Sequence, residues 1–460
     1  MQDRIKYINR RQLCRILAAL LLAVTLLVGC DTTTSPQEEI ELSEVSNHNA
    51  DVVVQWFDLS LQLIEQTPGF SPPVASRALG YKGVTLYETV VHGMPGYNSM
   101  AGRLNELESL PSPAGEIHWL AAANSALADI TRKLFRSTSA ELLEAIDNLE
   151  EALAGEFRAQ TDTNIFDRSV AYGREIAGAI YSWSASDGGH EGFAANFPED
   201  YHLPSGPGLW VPTPPDYLMP LQPYWGDNRP FVLFSPDDCP VTEPPSYSEN
   251  PGSVFYAEAL EVYETVGQIS EEQREIALFW ADDPGLSPTP PGHWISILNQ
   301  VLTQHHNSLD VAAESYARLG VALADAFIVC WYEKYHYNLL RPITYIQQVI
   351  DPGWNNPEIT DPVITPPFPE YPSGHSVQSG AAAVVLTDLF GDLAFTDRTH
   401  ETRGLGVRTF SSFWEAAEEA AISRLYGGIH YRAGIEFGVE HGQCIGKKVS
   451  ALELKFDTTE

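Results

Sequence analysis

The 460-residue chain sets 27 lysines and arginines against 61 aspartates and glutamates, for a net charge of −34 at pH 7. With no basic surplus to neutralise phosphates, bulk nucleic-acid binding is excluded. With 44% hydrophobic residues, a chain of this length can bury a large core without disulfide staples, as one large domain or two to three smaller ones.

Residues 1–29 read as a targeting segment rather than as fold. Arg4, Lys6, Arg10, Arg11 and Arg15 make a basic start, and Ile16 to Val28 is an apolar run too short to span a bilayer comfortably. The run ends in Leu27-Val28-Gly29-Cys30, which resembles a bacterial lipobox. It predicts an exported bacterial lipoprotein, periplasmic or at the cell surface, anchored to a membrane by acylation of Cys30. An ordinary signal peptide or a short anchor helix is the alternative. Residues 30–50 have the composition of a flexible tether. Beyond Cys30 the remaining cysteines are Cys239, Cys330 and Cys444. They permit at most one disulfide of unspecified pairing, and no Cys-x-x-Cys pair points to a thiol-bound metal.

Helical periodicity dominates the chain beyond the tether, and the expected fold class is all-α: two helical bundles joined by a long irregular excursion. The first bundle covers 51–185. Its helices are expected at Val52 to Glu65, from Pro72 to about Val91 with proline in the first turn, and at His118 to Phe135, Ser139 to Phe157 and Phe166 to Trp183. Residues 186–251 are rich in Gly, Pro and Asp. The aromatics Tyr217, Tyr224, Trp225, Phe231 and Phe234 favour a packed loop over a disordered one. A second bundle is expected at 252–456, with helices resuming near Val254 and a long one over Leu309 to Lys334. No alternating strand of any length stands out.

Three segments of the second bundle, within about 320–450, supply the chemistry of one oxyanion pocket. In the first, Lys334 and Arg341 are seven residues apart, close to two helical turns, so both would face the same way, with Trp331 on that face. Pro342 puts Arg341 at or near a helix end. Alone, this would read as a solvated surface pair. The second segment is Pro372-Ser373-Gly374-His375, ahead of an Ala-rich helix running to about Leu389. A Ser-Gly turn opening a helix presents free N–H groups and a positive dipole end to an anion, and His375 can handle protons. Alone it would read equally as a plain N-cap serine followed by an incidental histidine. In the third, Arg424 and His430 are six apart with Gly427-Gly428 between them. Two glycines inside a helix cost about 2 kcal/mol relative to alanine, so the helix should break there and let His430 turn back toward Arg424. His190, His293, His305 and His306 lack metal-ligand spacing with a carboxylate and read as structural or pocket-rim residues. Glu271-Glu272 and Glu418-Glu419 read as solvated helix faces.

The pattern Lys-x₆-Arg-Pro, Pro-Ser-Gly-His, Ser-Arg-x₅-His resembles the superfamily that joins type 2 phosphatidic acid phosphatases with vanadium-dependent haloperoxidases. Trp331 and Phe368 match aromatics of the haloperoxidase branch. Phe279-Trp280-Ala281-Asp282, Pro290-Pro291-Gly292-His293-Trp294 and the helix opening around Ser71 to Ala78 look like its bacterial members, so the resemblance spans about residues 50–450. It implies a vanadate cofactor with His430 as the vanadium ligand. Lys334, Arg341, Ser373, Gly374 and Arg424 would hold the other oxygens, His375 would be the acid–base residue, and Trp331 and Phe368 would line the pocket. Hydrogen peroxide and halide would be the substrates, with Lys334 helping to activate the peroxide. Hypohalous acid or a halogenated organic acceptor would be the product, without haem or flavin. One position departs from the pattern: an aspartate is expected four residues after the histidine, and Gly434 stands there. Either activity is impaired, or Glu436 or a backbone carbonyl takes over the orienting role.

The same pocket could serve a soluble acid phosphatase, with His430 attacking phosphorus and His375 protonating the leaving group, because trigonal-bipyramidal vanadate resembles that transition state. A lipoprotein that only binds an oxyanion is the non-catalytic reading.

Overall fold

The computed structural model describes residues 44–354 and 363–456. The targeting segment, the lipobox and Cys30 lie outside them. Thirteen α-helices carry the described fold. The first five are α1 (Asp51–Gln66), α2 (Pro72–Val90), α3 (Trp119–Leu134), α4 (Ala140–Gln160) and α5 (Thr163–Ser184), each within a few residues of its expected position. Side-chain caps explain several of the starts: Ser139 accepts from the Leu142 amide and Asp162 from the Asn164 amide. The second series is α6 (Val254–Gly267), α7 (Glu271–Phe279), α8 (Thr289–Gln304), α9 (Leu309–Tyr337), α10 (Pro342–Tyr345), α11 (Gly374–Phe390), α12 (Phe413–Tyr426) and α13 (Arg432–Ser450).

Helices α2 and α9 form the axis of the structure. Nearly every residue of α2 is buried, and α9 packs along it and also against α11, α8 and α13. Small residues make the close crossing possible. A Cβ at Gly83 would fall 2.4 Å from the Tyr316 carbonyl oxygen, and one at Gly320 would fall 2.8 Å from that of Leu79.

The stretch 186–251 contains only single 3₁₀ turns among its described elements, at Gly192–Ala194, Trp225–Asp227 and Pro236–Asp238. Its aromatics bear out the expected packing only in part: Trp225 and Phe231 are buried, as is Trp210, whereas Tyr217, Tyr224 and Phe234 are exposed. Asp325 of α9 accepts the amides of Phe231, Val232 and Leu233 at 2.6, 2.9 and 3.3 Å, so one buried carboxylate fastens the loop to the central helix. A disulfide joins Cys239 of this stretch to Cys444 of α13 and leaves Cys330 as a buried free thiol.

Two expectations are corrected. A short antiparallel ribbon, β1 (Phe395–Asp397) with β2 (Arg408–Phe410), pairs Phe395 with Phe410. Three residues per strand are too few for alternation to show in sequence. Lys334 and Arg341 also do not share a helix. Asn338 takes the left-handed conformation, φ 46°, and ends α9. The chain then runs extended, with Leu339 bridged to Leu209, and Arg341 becomes the N-cap residue of α10. No helix among the described residues is long and apolar enough to cross a membrane.

Candidate active site

Four chain segments converge at one end of α9. Lys334 comes from its last turn, Arg341 from the extended segment after it, Ser373 to His375 from the start of α11, and Arg424 and His430 from either side of the break between α12 and α13. The break is where the glycines predict it. Gly427 caps α12, and Gly428 has φ 74°, a backbone conformation that favours glycine. His430 is thereby turned back toward Arg341, with its Nε2 3.1 Å from Arg341 Nη1.

Lys334, Arg341, Ser373 and Arg424 are fully buried, and His430 is 2% exposed. The guanidinium of Arg341 is fixed by the Phe368 carbonyl (2.9 Å to Nε) and the Ile429 carbonyl (2.8 Å to Nη1), while its Nη2 has no partner. Arg424 donates to Ser423 Oγ and to the Ala277 carbonyl. Ser373 caps α11 by accepting the Ser376 amide at 3.4 Å, which leaves its hydroxyl hydrogen available to donate. The first amides of α11, at Gly374 and His375, belong to the group with no intrahelical acceptor. His375 Nε2 is enclosed without a partner.

Lys334 differs from expectation. Its three N–H bonds go to the carbonyls of Pro369, Glu370 and Pro372, at 3.0, 3.0 and 2.6 Å. It therefore clamps the loop that carries Phe368 to Ser373 and acts on the pocket as a point charge. Trp331 and Phe368 pack together (ring centroids 4.9 Å apart), and the Arg341 guanidinium lies 4.9 Å from the Phe368 ring centre.

Charge at the site is unbalanced toward the positive. Burial pushes Lys334 down to about 7 and Arg341 and Arg424 down to about 10. Asp282 and Asp283 partly compensate Arg424. Glu370 lies beside Lys334 and Arg341, and burial lifts it to about 7. His375 is held well below the usual imidazole range by burial and by Arg424. His430 is held there by burial and by Arg341 and Lys334, so both rings are neutral at pH 7. Buried cations with spare donors beside neutral imidazoles suit a multiply charged oxyanion that also takes a nitrogen ligand. The pocket above them is mostly apolar, with Leu221, Pro284, Phe327, Val363 and Pro367 among its walls.

Two features escape the sequence. Glu370 lies 60 residues before His430, yet its Oε1 is 2.7 Å from His430 Nδ1. Glu436, the expected substitute for the missing aspartate, instead pairs with Arg432 at 3.2 Å. The second is a buried charge network behind the pocket. His293, read as lacking a carboxylate partner, has two: Nδ1 is 2.9 Å from Asp282 and Nε2 is 2.7 Å from Asp397. His400 Nε2 is 2.9 Å from Asp282, and Trp280 stacks on the His293 ring at 4.3 Å. Asp282, His293 and His400 have metal-ligand chemistry. However, His293 spends both ring nitrogens on carboxylates, and the cluster is satisfied as a charge network. Glu419 also departs from the solvated-face reading, since it accepts from Arg408 and from Trp280 Nε1.

Comparison with known proteins agrees with this geometry. Residues 314–456 match the family model of the VCPO second helical-bundle domain. The chain is 23% identical over 498 residues to the vanadium chloroperoxidase of Curvularia inaequalis, covering 85% of this chain and 80% of that protein. It superposes on a crystal structure described as the first bacterial vanadium-dependent iodoperoxidase with a TM-score of 0.78. The two are 39% identical, with 88% of this chain and 97% of that one covered. A holo-type bacterial vanadium-dependent chloroperoxidase shares the fold, with TM-score 0.62 at 16% identity over 85% and 94% of the two chains. The chain belongs to the vanadium-dependent haloperoxidases, enzymes that use a vanadate cofactor with peroxide and halide as substrates.

Proposed function

We propose that His430 Nε2 is the vanadium ligand, and that Arg341, Arg424, Ser373 and the α11 N-terminus at Gly374 hold the vanadate oxygens. The observation that carries this reading is the concentration of three buried cations around a neutral His430. Its Nδ1 is engaged by Glu370, so Nε2 presents its lone pair toward Arg341. Bound vanadate supplies Lewis-acid activation of peroxide at an unchanged oxidation state. The two guanidiniums spread their charge over the oxyanion, while Lys334 clamps the 369–372 backbone and adds positive charge in its protonated form. His375 Nε2 takes a proton from the incoming peroxide and returns it as the reduced oxygen leaves. Overall, halide, hydrogen peroxide and one proton give hypohalous acid and water: the halide loses the two electrons that the peroxide gains. Hypohalous acid is released or halogenates an organic acceptor in the apolar pocket.

Iodide, the most easily oxidised of the three common halides, is the expected preferred substrate, in keeping with the 39% identity to a bacterial iodoperoxidase. The check is steady-state oxidation of iodide, bromide and chloride by the vanadate-loaded full chain, beside p-nitrophenyl phosphate hydrolysis by the vanadate-free chain. Iodide should turn over fastest. Phosphate-ester turnover without oxidation of any halide would sink the reading in favour of the acid phosphatase.

The enzyme acts after export, tethered by lipid at Cys30. The lipobox supports this, and the Cys239–Cys444 disulfide suits an oxidising compartment. Metabolic labelling with a fatty acid in a bacterial host should tag the chain and lose the tag in Cys30→Ala. A labelled Cys30→Ala chain would refute the anchor.

A further inference from the structure

We propose that Glu370 is the residue that orients His430, and that position 434 is glycine because the Glu370 carboxylate occupies the space a side chain there would fill. The inference rests on the assignment of His430 as the vanadium ligand.

Gly434 sits in the first turn of α13 with an ordinary negative φ, so no backbone conformation demands glycine. Glycine inside a helix has an entropic cost relative to alanine. The explanation lies in space. A Cβ at 434 would fall 2.5 Å from Glu370 Oε1, closer than such atoms pack, and a tight 3.1 Å from its Cδ. The backbone cannot withdraw freely, because the Gly434 carbonyl accepts the Ser373 amide at 2.9 Å. Withdrawal would drag the cradle serine with it.

Glu370 is placed with equal firmness. It is fully buried. Its amide donates to the Leu339 carbonyl at 2.9 Å, and its carbonyl accepts from Lys334 at 3.0 Å. Its Oε1 takes both His430 Nδ1 at 2.7 Å and the Tyr431 amide at 3.0 Å. A carboxylate on Nδ1 keeps the proton there and leaves the lone pair on Nε2, the tautomer a metal ligand needs. The family pattern supplies that carboxylate from the position now held by Gly434. Here it arrives from a different segment, the loop that Lys334 clamps.

The test is calorimetric titration of the vanadate-free full chain with vanadate and, separately, with inorganic phosphate, which needs no bond to Nε2. A positioning role and a plain charge role have opposite signs. Removing a negative charge beside an anion site should tighten both ligands. Loss of orientation should weaken vanadate alone. Glu370→Gln, which preserves shape, is expected to weaken vanadate roughly 10–100-fold and leave phosphate unchanged or tighter. The double variant Glu370→Ala/Gly434→Asp, which returns the carboxylate to the family position, should recover vanadate binding that Glu370→Ala lacks. Wild-type vanadate affinity in Glu370→Gln, a parallel loss of both ligands, or no recovery in the double variant would overturn the inference. If Glu370→Gln does not fold, the double variant decides. If His430→Ala keeps vanadate, the ligand assignment itself falls, and that outcome is read independently of Glu370.

Discussion

His430→Ala should abolish stoichiometric vanadate binding and cut halide oxidation by at least the 10²–10³-fold typical of one lost electrostatic contact in an active site. Nε2 of His430 faces Arg341 Nη1 at 3.1 Å, so the lone pair and the guanidinium address the same ligand. Alanine removes the only ring nitrogen placed there by the α12–α13 break and leaves Arg341 and Arg424 to hold the oxyanion by charge. The variant should therefore still take up phosphate while losing vanadate. It also strands Glu370 Oε1 with the Tyr431 amide as its remaining partner, so a modest loss of stability is expected as well. Titration calorimetry reads the binding change directly, and one-to-one vanadate uptake by the variant would remove His430 from the role of ligand.

The second large effect concerns stability. His293→Ala should cost about 3–5 kcal/mol, because it leaves Asp282 and Asp397 buried without their shared cation. Burial alone would push His293 down, but the two carboxylates outweigh it and raise the ring to about 10. A group whose folded value lies above its ordinary 6.5 stabilises fully below pH 6.5, and the contribution is lost as pH rises toward 10. The aspartates act at the other end. Burial would raise them, but His293 outweighs it and holds both below their usual range, so their contribution is present above about pH 4 and disappears on acidification. The stability gap between wild type and variant should thus be widest between pH 4 and 6.5 and narrow by pH 9.5. Urea midpoints at pH 6 and pH 9.5 measure it, and a gap of the same size at both would contradict the charged-histidine account.

The helices and the three segments proposed to hold the anion are legible in the sequence because each rests on short-range spacing: a proline in a first turn, a Ser-Gly start, a glycine pair. What escapes depends on residues far apart in the chain. Glu370 meets His430 across 60 positions, and Asp397 meets His293 across 104. No local period announces either. The placement of Lys334 and Arg341 on one helix failed for a local reason, since Asn338 can adopt the left-handed conformation that ends α9. Arg341 still reaches the cradle, because the extended segment carries it past the helix end to the same side. Cys239 and Cys444 illustrate the limit again: three cysteines allow several pairings, and only packing selects one.

The stretch 186–251 reaches the pocket through Leu221, whose amide donates to the Pro367 carbonyl at 2.8 Å and whose carbonyl accepts from Trp331 Nε1 and Tyr335. Labour is therefore divided along the gene. Helix ends and tight turns after residue 330 carry the proposed anion site, while part of the pocket wall is built by a segment with no regular framework of its own. Exchanges in that segment would change the pocket wall at Leu221 without touching the residues proposed to hold the anion. The wall and the proposed anion site can therefore vary independently.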